Sequence, residues 1–271
     1  IGVAFVVDNY PLYYDAVNEK GLGIAGLNFP GNADYKPEEK GRDNIAPFEL
    51  IPWILSQCSS VSEAETLLSR INIINTNFSD TLPLSPLHWM IADKNRAITV
   101  EAVKDGVKVF ENPVHVLTNN PGFDMQMFSL NNYMSCSAKP PLNSFSTHLN
   151  LETYSRGMGG LGLPGDLSSQ SRFIKAAFTR ANSVSKTSES ESISQFFHIL
   201  GSAAQQRGCV DLGNNKYEYT IYTSCCNTDK GIFYYTTYEN SQVSAVDMRK
   251  ENLDSDKLVS YQMIKDQQIK M

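Results

Sequence analysis

Gly21-Leu22-Gly23-Ile24-Ala25-Gly26-Leu27-Asn28 is a short apolar run built on three glycines and closed by a carboxamide. Side chains of a β-strand alternate between two faces, and a glycine within one lets a backbone, a ligand or a bulky neighbour come close. Asn28 at the end of this run is a poor core residue, because a desolvated carboxamide needs partners for both its NH2 and its C=O. It is a good oxyanion donor, because a fixed amide dipole stabilises a developing negative charge without titrating. Leu117-Thr118-Asn119-Asn120-Pro121 repeats the arrangement. There, residues 114–117 read as a strand and Asn119 stands just beyond it, before an Asn-Pro turn. The two stretches together point to acyl transfer on an amide.

Flanking segments supply more strands in pairs. Residues 1–7 and 10–17 precede a turn at 18–21 that leads into the glycine-rich run. Residues 87–92, 97–103 and 107–110 read as strands joined by turns at 93–96 and 104–106. Near the C-terminus, residues 217–224, 231–238 and 242–248 form an aromatic-rich antiparallel meander. Four helices interrupt these strands. Asn44 with Pro47 opens one over 48–58, kinked or delayed by Pro52. Ser60-Val61-Ser62-Glu63 is a capping box that starts a second. A third begins at 166–169 and runs through Phe173, Ala177 and Phe178, with Arg172 in its first turns. Ile193, Phe196, Phe197 and Leu200 mark the fourth by their i, i+3, i+4, i+7 spacing. Strands and helices in blocks predict an α+β architecture of antiparallel sheets. Residues 130–162, with Pro140-Pro141 and Gly157-Met158-Gly159-Gly160, are the least regular, and no composition break divides residues 1–271 into two domains.

Bulk composition excludes several classes. The 271 residues carry 23 basic and 29 acidic side chains, a net charge of −6, with no basic cluster suited to nucleic acid or an anionic membrane. Apolar runs such as 51–55 are far too short to span a bilayer. The five cysteines, Cys58, Cys136, Cys209, Cys225 and Cys226, are odd in number and lack C-x-x-C spacing, which argues against a disulfide framework and against structural zinc. They read as reduced thiols of a cytosolic protein. Residue 1 is Ile, and 1–7 reads as a strand beginning in mid-sheet, so the chain is expected to be a fragment or a processed product.

Several segments in this order closely resemble the choloylglycine hydrolase family, and within it the bacterial bile salt hydrolases. They are Asp8-Asn9-Tyr10-Pro11-Leu12-Tyr13-Tyr14-Asp15, residues 18–30, Pro86-Leu87-His88-Trp89, residues 117–121, residues 162–166 with Ser171-Arg172-Phe173, Gln195-Phe196-Phe197-His198-Ile199-Leu200, and Tyr234-Tyr235-Thr236-Thr237-Tyr238-Glu239-Asn240. The resemblance implies a four-layer αββα N-terminal-nucleophile hydrolase sandwich that cleaves glycine or taurine from conjugated bile salts, assembled as a homotetramer in a bacterial cytoplasm. It implies that Asn28 is the oxyanion asparagine, Asn119 the second active-site asparagine, and Arg172 the arginine beside the nucleophile. Val7, Tyr14, Phe78 and Leu82 are expected to line the apolar cleft for the steroid. No metal or cofactor is called for. His88 and His198 lie inside packed strand and helix patterns and read as core or cap residues. The family's nucleophile is an N-terminal Cys, followed soon by an Arg and an Asp, and all three, with the strands that carry them, are expected upstream of Ile1. On that expectation, the chain alone is inactive. Two other readings stay open: a catalytically dead remnant that still binds bile acids, and a penicillin V acylase, although a tyrosine is usual there in place of Asn28.

Overall fold

The computed structural model describes residues 1–267 and Ile269. Its elements, in chain order, begin with strands β1 (Gly2–Val7), β2 (Tyr10–Val17), β3 (Gly23–Asn28) and β4 (Asp43–Ile45). Helices α1 (Leu50–Leu55) and α2 (Val61–Leu68) follow. Next come β5 (Ile71–Ile73), β6 (Leu87–Ala92), β7 (Ala97–Val103) and β8 (Gly106–Glu111), then α3 (Phe123–Ser129), α4 (Ser169–Asn182) and α5 (Glu189–Gly201). The chain closes with β9 (Asp211–Gly213), β10 (Lys216–Tyr217), β11 (Tyr222–Asn227), β12 (Ile232–Thr237) and β13 (Ser244–Asp247).

Six strands form one antiparallel sheet in the order β1-β2-β3-β6-β7-β8, and β11-β12-β13 form a second. The first hairpin turns tightly because Asp8 and Asn9 both take positive φ, the geometry a two-residue I′ turn requires and these side chains tolerate. On one face of the large sheet, Ile24, Trp89, Ile91, Ile98 and Val100 meet Leu50 and Ile54 of α1 and Val61 and Leu68 of α2 in the main core. Gly26 makes room for this packing, since a Cβ there would stand 3.2 Å from Cδ1 and Nε1 of Trp89. The opposite face meets the second sheet: Tyr222 of β11 donates to Oδ2 of Asp15 on β2 at 2.6 Å. On the far side of that sheet α5 packs against β11. Helix, sheet, sheet and helix thus stack in the expected α+β order.

Burial pushes the Asp15 carboxyl up to about 6, against the opposing pull of the Tyr222 hydroxyl and the Val3 amide. A carboxyl whose pKa is raised on folding favours the folded state at low pH, and this preference fades as pH rises from about 4 to about 6. Asp15→Asn keeps the shape without the charge. Scanning calorimetry from pH 4 to 7 should therefore find the variant no better than wild type at pH 4 and more stable at pH 7, by on the order of 2 kcal/mol. A difference that does not change with pH would contradict the burial argument.

Several local expectations need correction. Helix α1 is shorter than 48–58. It starts at Leu50, which places Pro52 in the first turn, where the missing N–H has no intrahelical acceptor to lose. Asn44 opens no helix. It lies in β4, which runs parallel to β5, and its side chain ties the Glu39 backbone and Asn72. Residues 114–117 are not a strand: His115 takes positive φ, and the Asn112 carboxamide bonds both the amide and the carbonyl of Val116. Residues 217–224 break into β10 and β11. The apolar stripe of α5 is not fully covered, with Phe196 44 % and Leu200 37 % exposed. The Ser60 cap holds as read, its hydroxyl accepting from the Glu63 amide.

Candidate active site

Asn28 ends β3 opposite Leu87, where β6 begins. It is exposed, and among the described residues its carboxamide has no hydrogen-bond partner. The Asn28 backbone carbonyl, however, accepts from Nδ2 of Asn119 at 2.9 Å. Oδ1 of Asn119 in turn accepts from Nη2 of Arg172 at 2.7 Å. Because a guanidinium only donates, this contact fixes which end of the Asn119 amide is oxygen and aims its NH2 toward Asn28. A charged donor on the amide oxygen also polarises the N–H bonds, which strengthens them as donors. One Nδ2 proton is used on the Asn28 carbonyl, so one remains.

Arg172 owes its place to the start of α4. Ser168 caps the helix by accepting from the Ser171 amide, and Asp166, held down to about 2 by hydrogen bonds from Ser168 and Ser171, fixes the preceding turn. From the first turn of α4 the arginine reaches back, its Nε donating to the Leu167 carbonyl at 3.1 Å. The side chain is half-buried and makes no ion pair among the described residues. Desolvation lowers its pKa, and the charge of Glu218 opposes that shift. Asn120 anchors the same turn, donating to the Pro30 carbonyl at 2.7 Å. The Arg172 and Asn119 side chains therefore meet the backbone of Asn28 at one end of the large sheet.

The four expected cleft residues divide. Val7 and Tyr10 close the first hairpin. The Tyr10 ring lies 5.5 Å from that of Phe78, and both rings contact Phe48. Leu82 follows in a turn in which its amide donates to the Ser79 carbonyl. Antiparallel pairing of Asp15 with Ala25 places the Tyr10 end of β2 toward the Asn28 end of β3, so Tyr10 and the Phe48 and Phe78 rings packed on it lie toward the same end of the sheet as Asn28. Tyr14 stands apart, half-exposed, close enough to Tyr222 to affect its ionisation. One surface cavity of about 540 Å³ lies between α5 and β12, and another of about 540 Å³ lies beside Pro121, Met125, Phe128 and Gln170.

None of the five cysteines hydrogen-bonds to Asn28, Asn119 or Arg172. Burial pushes Cys225 up to about 12 and Cys226 up to about 11, the reverse of what a nucleophilic thiol needs. His198 is exposed in the last turn of α5 and is not a core residue, whereas His88 is fully buried. Among the described residues no three His, Cys, Asp or Glu side chains converge as a metal site would require. Two members of this frame went unread in the sequence, Gln126 and Glu101. Both are polar and buried, and only tertiary contacts reveal the loop that they hold.

Two antiparallel sheets stacked between helical layers are the architecture of the N-terminal-nucleophile fold. The model of the linear amide C–N hydrolases, choloylglycine hydrolase family, matches residues 1–261, and the chain belongs to that family. It is 59 % identical to the bile salt hydrolase/transferase of Lactiplantibacillus plantarum over 261 residues, 96 % of this chain and 81 % of that protein. A crystal structure of a variant of the conjugated bile acid hydrolase from Clostridium perfringens superposes with a TM-score of 0.91 at 39 % identity, covering 99 % of this chain and 83 % of that one. Penicillin V acylase from Agrobacterium tumefaciens shares the fold at a TM-score of 0.67 and 19 % identity, over 88 % of this chain and 67 % of that one. No helix among the described residues is long and apolar enough to cross a membrane.

Proposed function

We propose that the protein hydrolyses the amide of conjugated bile salts, releasing glycine or taurine, through a thioester formed on an N-terminal thiol. The observation that carries this reading is the chain of contacts from Arg172 to the Asn119 amide to the Asn28 carbonyl. It leaves the Asn28 carboxamide and one Asn119 N–H free to meet an oxyanion. An N-terminal α-amine, with an ordinary pKa of about 7.7–8.0, takes the thiol proton and returns it to the leaving amine. As the thiolate adds to the carbonyl, negative charge moves onto the oxygen, and the two asparagines stabilise it. Water then cleaves the thioester. None of the five cysteines within these residues is assigned the attack, because each lacks the α-amine.

Val7, Phe78 and Leu82 are proposed as the apolar side of the steroid cleft, beside Tyr10 and Phe48, and Tyr14 as a more distant contact. The same reading takes the protein as a homotetramer of a bacterial cytoplasm. Exposed apolar side chains on the irregular segment after α3 support assembly: Met134, Leu142, Phe145, Tyr154 and Leu161 are each at least 62 % exposed.

The test is a substrate comparison with the product of the whole gene. Taurocholate and glycocholate should release free taurine and glycine, and penicillin V should turn over at least ten times more slowly. Faster turnover of penicillin V would instead favour an acylase, and binding of bile acids without any release would favour the inactive binder.

A further inference from the structure

We infer that His88 and Glu101 form a buried positioning pair that sets Asn119, an inference that rests on the amide-hydrolase reading above. The two residues face each other across β6 and β7, His88 with 0 % and Glu101 with 3 % of its surface exposed. Burying two ionisable groups is costly, and replacing such a pair by apolar side chains often leaves a protein as stable or more so. Sheet packing does not call for it here either. The main core lies on the other face of these strands, around Trp89, Ile91 and Val100.

The hydrogen bonds of the pair lead to one place. Nδ1 of His88 lies 3.2 Å from Oε1 of Glu101, and Nε2 lies 2.7 Å from the Thr118 carbonyl oxygen. A carbonyl can only accept, so the Nε2 proton points at Thr118. Oε1 of Glu101 also accepts from the Phe123 amide at 2.9 Å, at the first residue of α3, which has no side-chain cap of its own. The Phe29 ring stacks on the imidazole with centroids 4.2 Å apart and planes 6° from parallel, so the imidazole cannot swing away.

The pair therefore grips residues 118–123 at both ends, by a carbonyl at Thr118 and an amide at Phe123. Gln126, fully buried, fills the gap between them, donating to the carbonyls of Asn119 at 2.7 Å and Pro121 at 2.9 Å. Asn119 sits inside this clamp. Among the described residues its side chain is tied only to Arg172 and to the Asn28 carbonyl, and both bonds require the backbone to stay in place. A displacement of about 1 Å at a group that meets a transition state can cost on the order of a hundredfold in rate. His88 and Glu101 touch no reacting atom and act through Asn119.

Glu101→Asp tests this, because it keeps the carboxyl group and shortens the reach by one methylene. In the whole gene product, kcat for taurocholate should fall at least tenfold while KM stays within twofold, and Glu101→Gln, which preserves length and the acceptor for the Phe123 amide, should recover most of the loss. Thr99→Val is the stability control. It breaks the buried Asn112–Thr99 hydrogen bond on the same strand and should lower Tm without lowering kcat. A crystal structure of Glu101→Asp supplies a readout free of activity: the Asn119 Nδ2 to Asn28 oxygen contact should open beyond hydrogen-bond reach. Should Glu101→Asp fail to fold, His88→Gln carries the same two readouts, a fall in kcat and a displaced Asn119, because it alters the contact with the Thr118 carbonyl. Unchanged kcat together with an unmoved Asn119 overturns the positioning role. A displaced Asn119 in a protein whose wild type releases no taurine or glycine upholds the clamp and overturns the hydrolase reading instead.

Discussion

Asn119→Ala should lower kcat for taurocholate hydrolysis by a factor of about 10² to 10³, the usual cost of removing one oxyanion donor, or about 2.7–4 kcal/mol in barrier. Three features of the structure set this expectation. The Asn119 amide is aimed by Arg172, so its free N–H has a defined direction before substrate arrives. Its donor strength is raised by a cation on the amide oxygen. Its backbone is fixed by neighbouring carbonyl contacts from Gln126 and His88. Truncation also strips Arg172 of one acceptor and leaves the half-buried guanidinium with the Leu167 carbonyl, so a modest fall in Tm should accompany the loss of rate. Asn119→Asp is the informative companion. It keeps an acceptor for Arg172 yet offers no amide N–H toward the oxyanion, so its kcat should stay as low as that of Asn119→Ala while Tm returns toward wild type. If Asn119→Asp turned over like wild type, donation from this position would play no part in catalysis.

Asn28→Ala should produce a loss of the same order with a different thermal signature. Asn28 is exposed, and its carboxamide has no partner among the described residues; what Asn119 uses is the Asn28 backbone carbonyl, which alanine retains. The strand register with Leu87 depends on backbone groups as well. Truncation therefore removes nothing that holds the fold, and Tm should move by no more than a degree or two, within the small range expected of exposed substitutions. A change that costs rate without costing stability separates a catalytic amide from a structural one. An Asn28→Ala protein with wild-type kcat would reduce the residue to an ordinary strand end.

Much of this arrangement is legible along the chain, and what is not has a physical reason. Strands β1, β2, β3, β6 and β7 announce themselves because each carries an apolar run bounded by Gly, Asn or Asp, and their hairpins connect neighbours in sequence. Arg172 can be placed because the Asp166–Ser168 turn is a local helix start whose capping chemistry reads directly from residue types. The path of residues 112–121 cannot be read that way. It bends where the Asn112 side chain substitutes for a strand partner and where His115 takes a left-handed backbone, and neither choice follows from periodicity. The contacts that make the site join residues 53 and 91 positions apart in sequence, far beyond any helical or strand repeat. His88 shows the same limit. Its burial inside an alternating strand is legible, whereas its grip on the Thr118 carbonyl is a property of the folded loop alone. The stripe on α5 errs in the other direction, since a regular apolar spacing there leaves Phe196 and Leu200 substantially open to solvent.

The most direct measurement is the rate of taurine release from taurocholate by wild type and Asn28→Ala, prepared together from the whole gene and normalised to folded protein by their melting curves. Rapid release by wild type, at least a hundredfold slower release by the variant, and superimposable melting curves are expected if the strand-end carboxamide stabilises the oxyanion. Equal rates from the two proteins, or a loss of rate matched by a loss of folded protein, would contradict it.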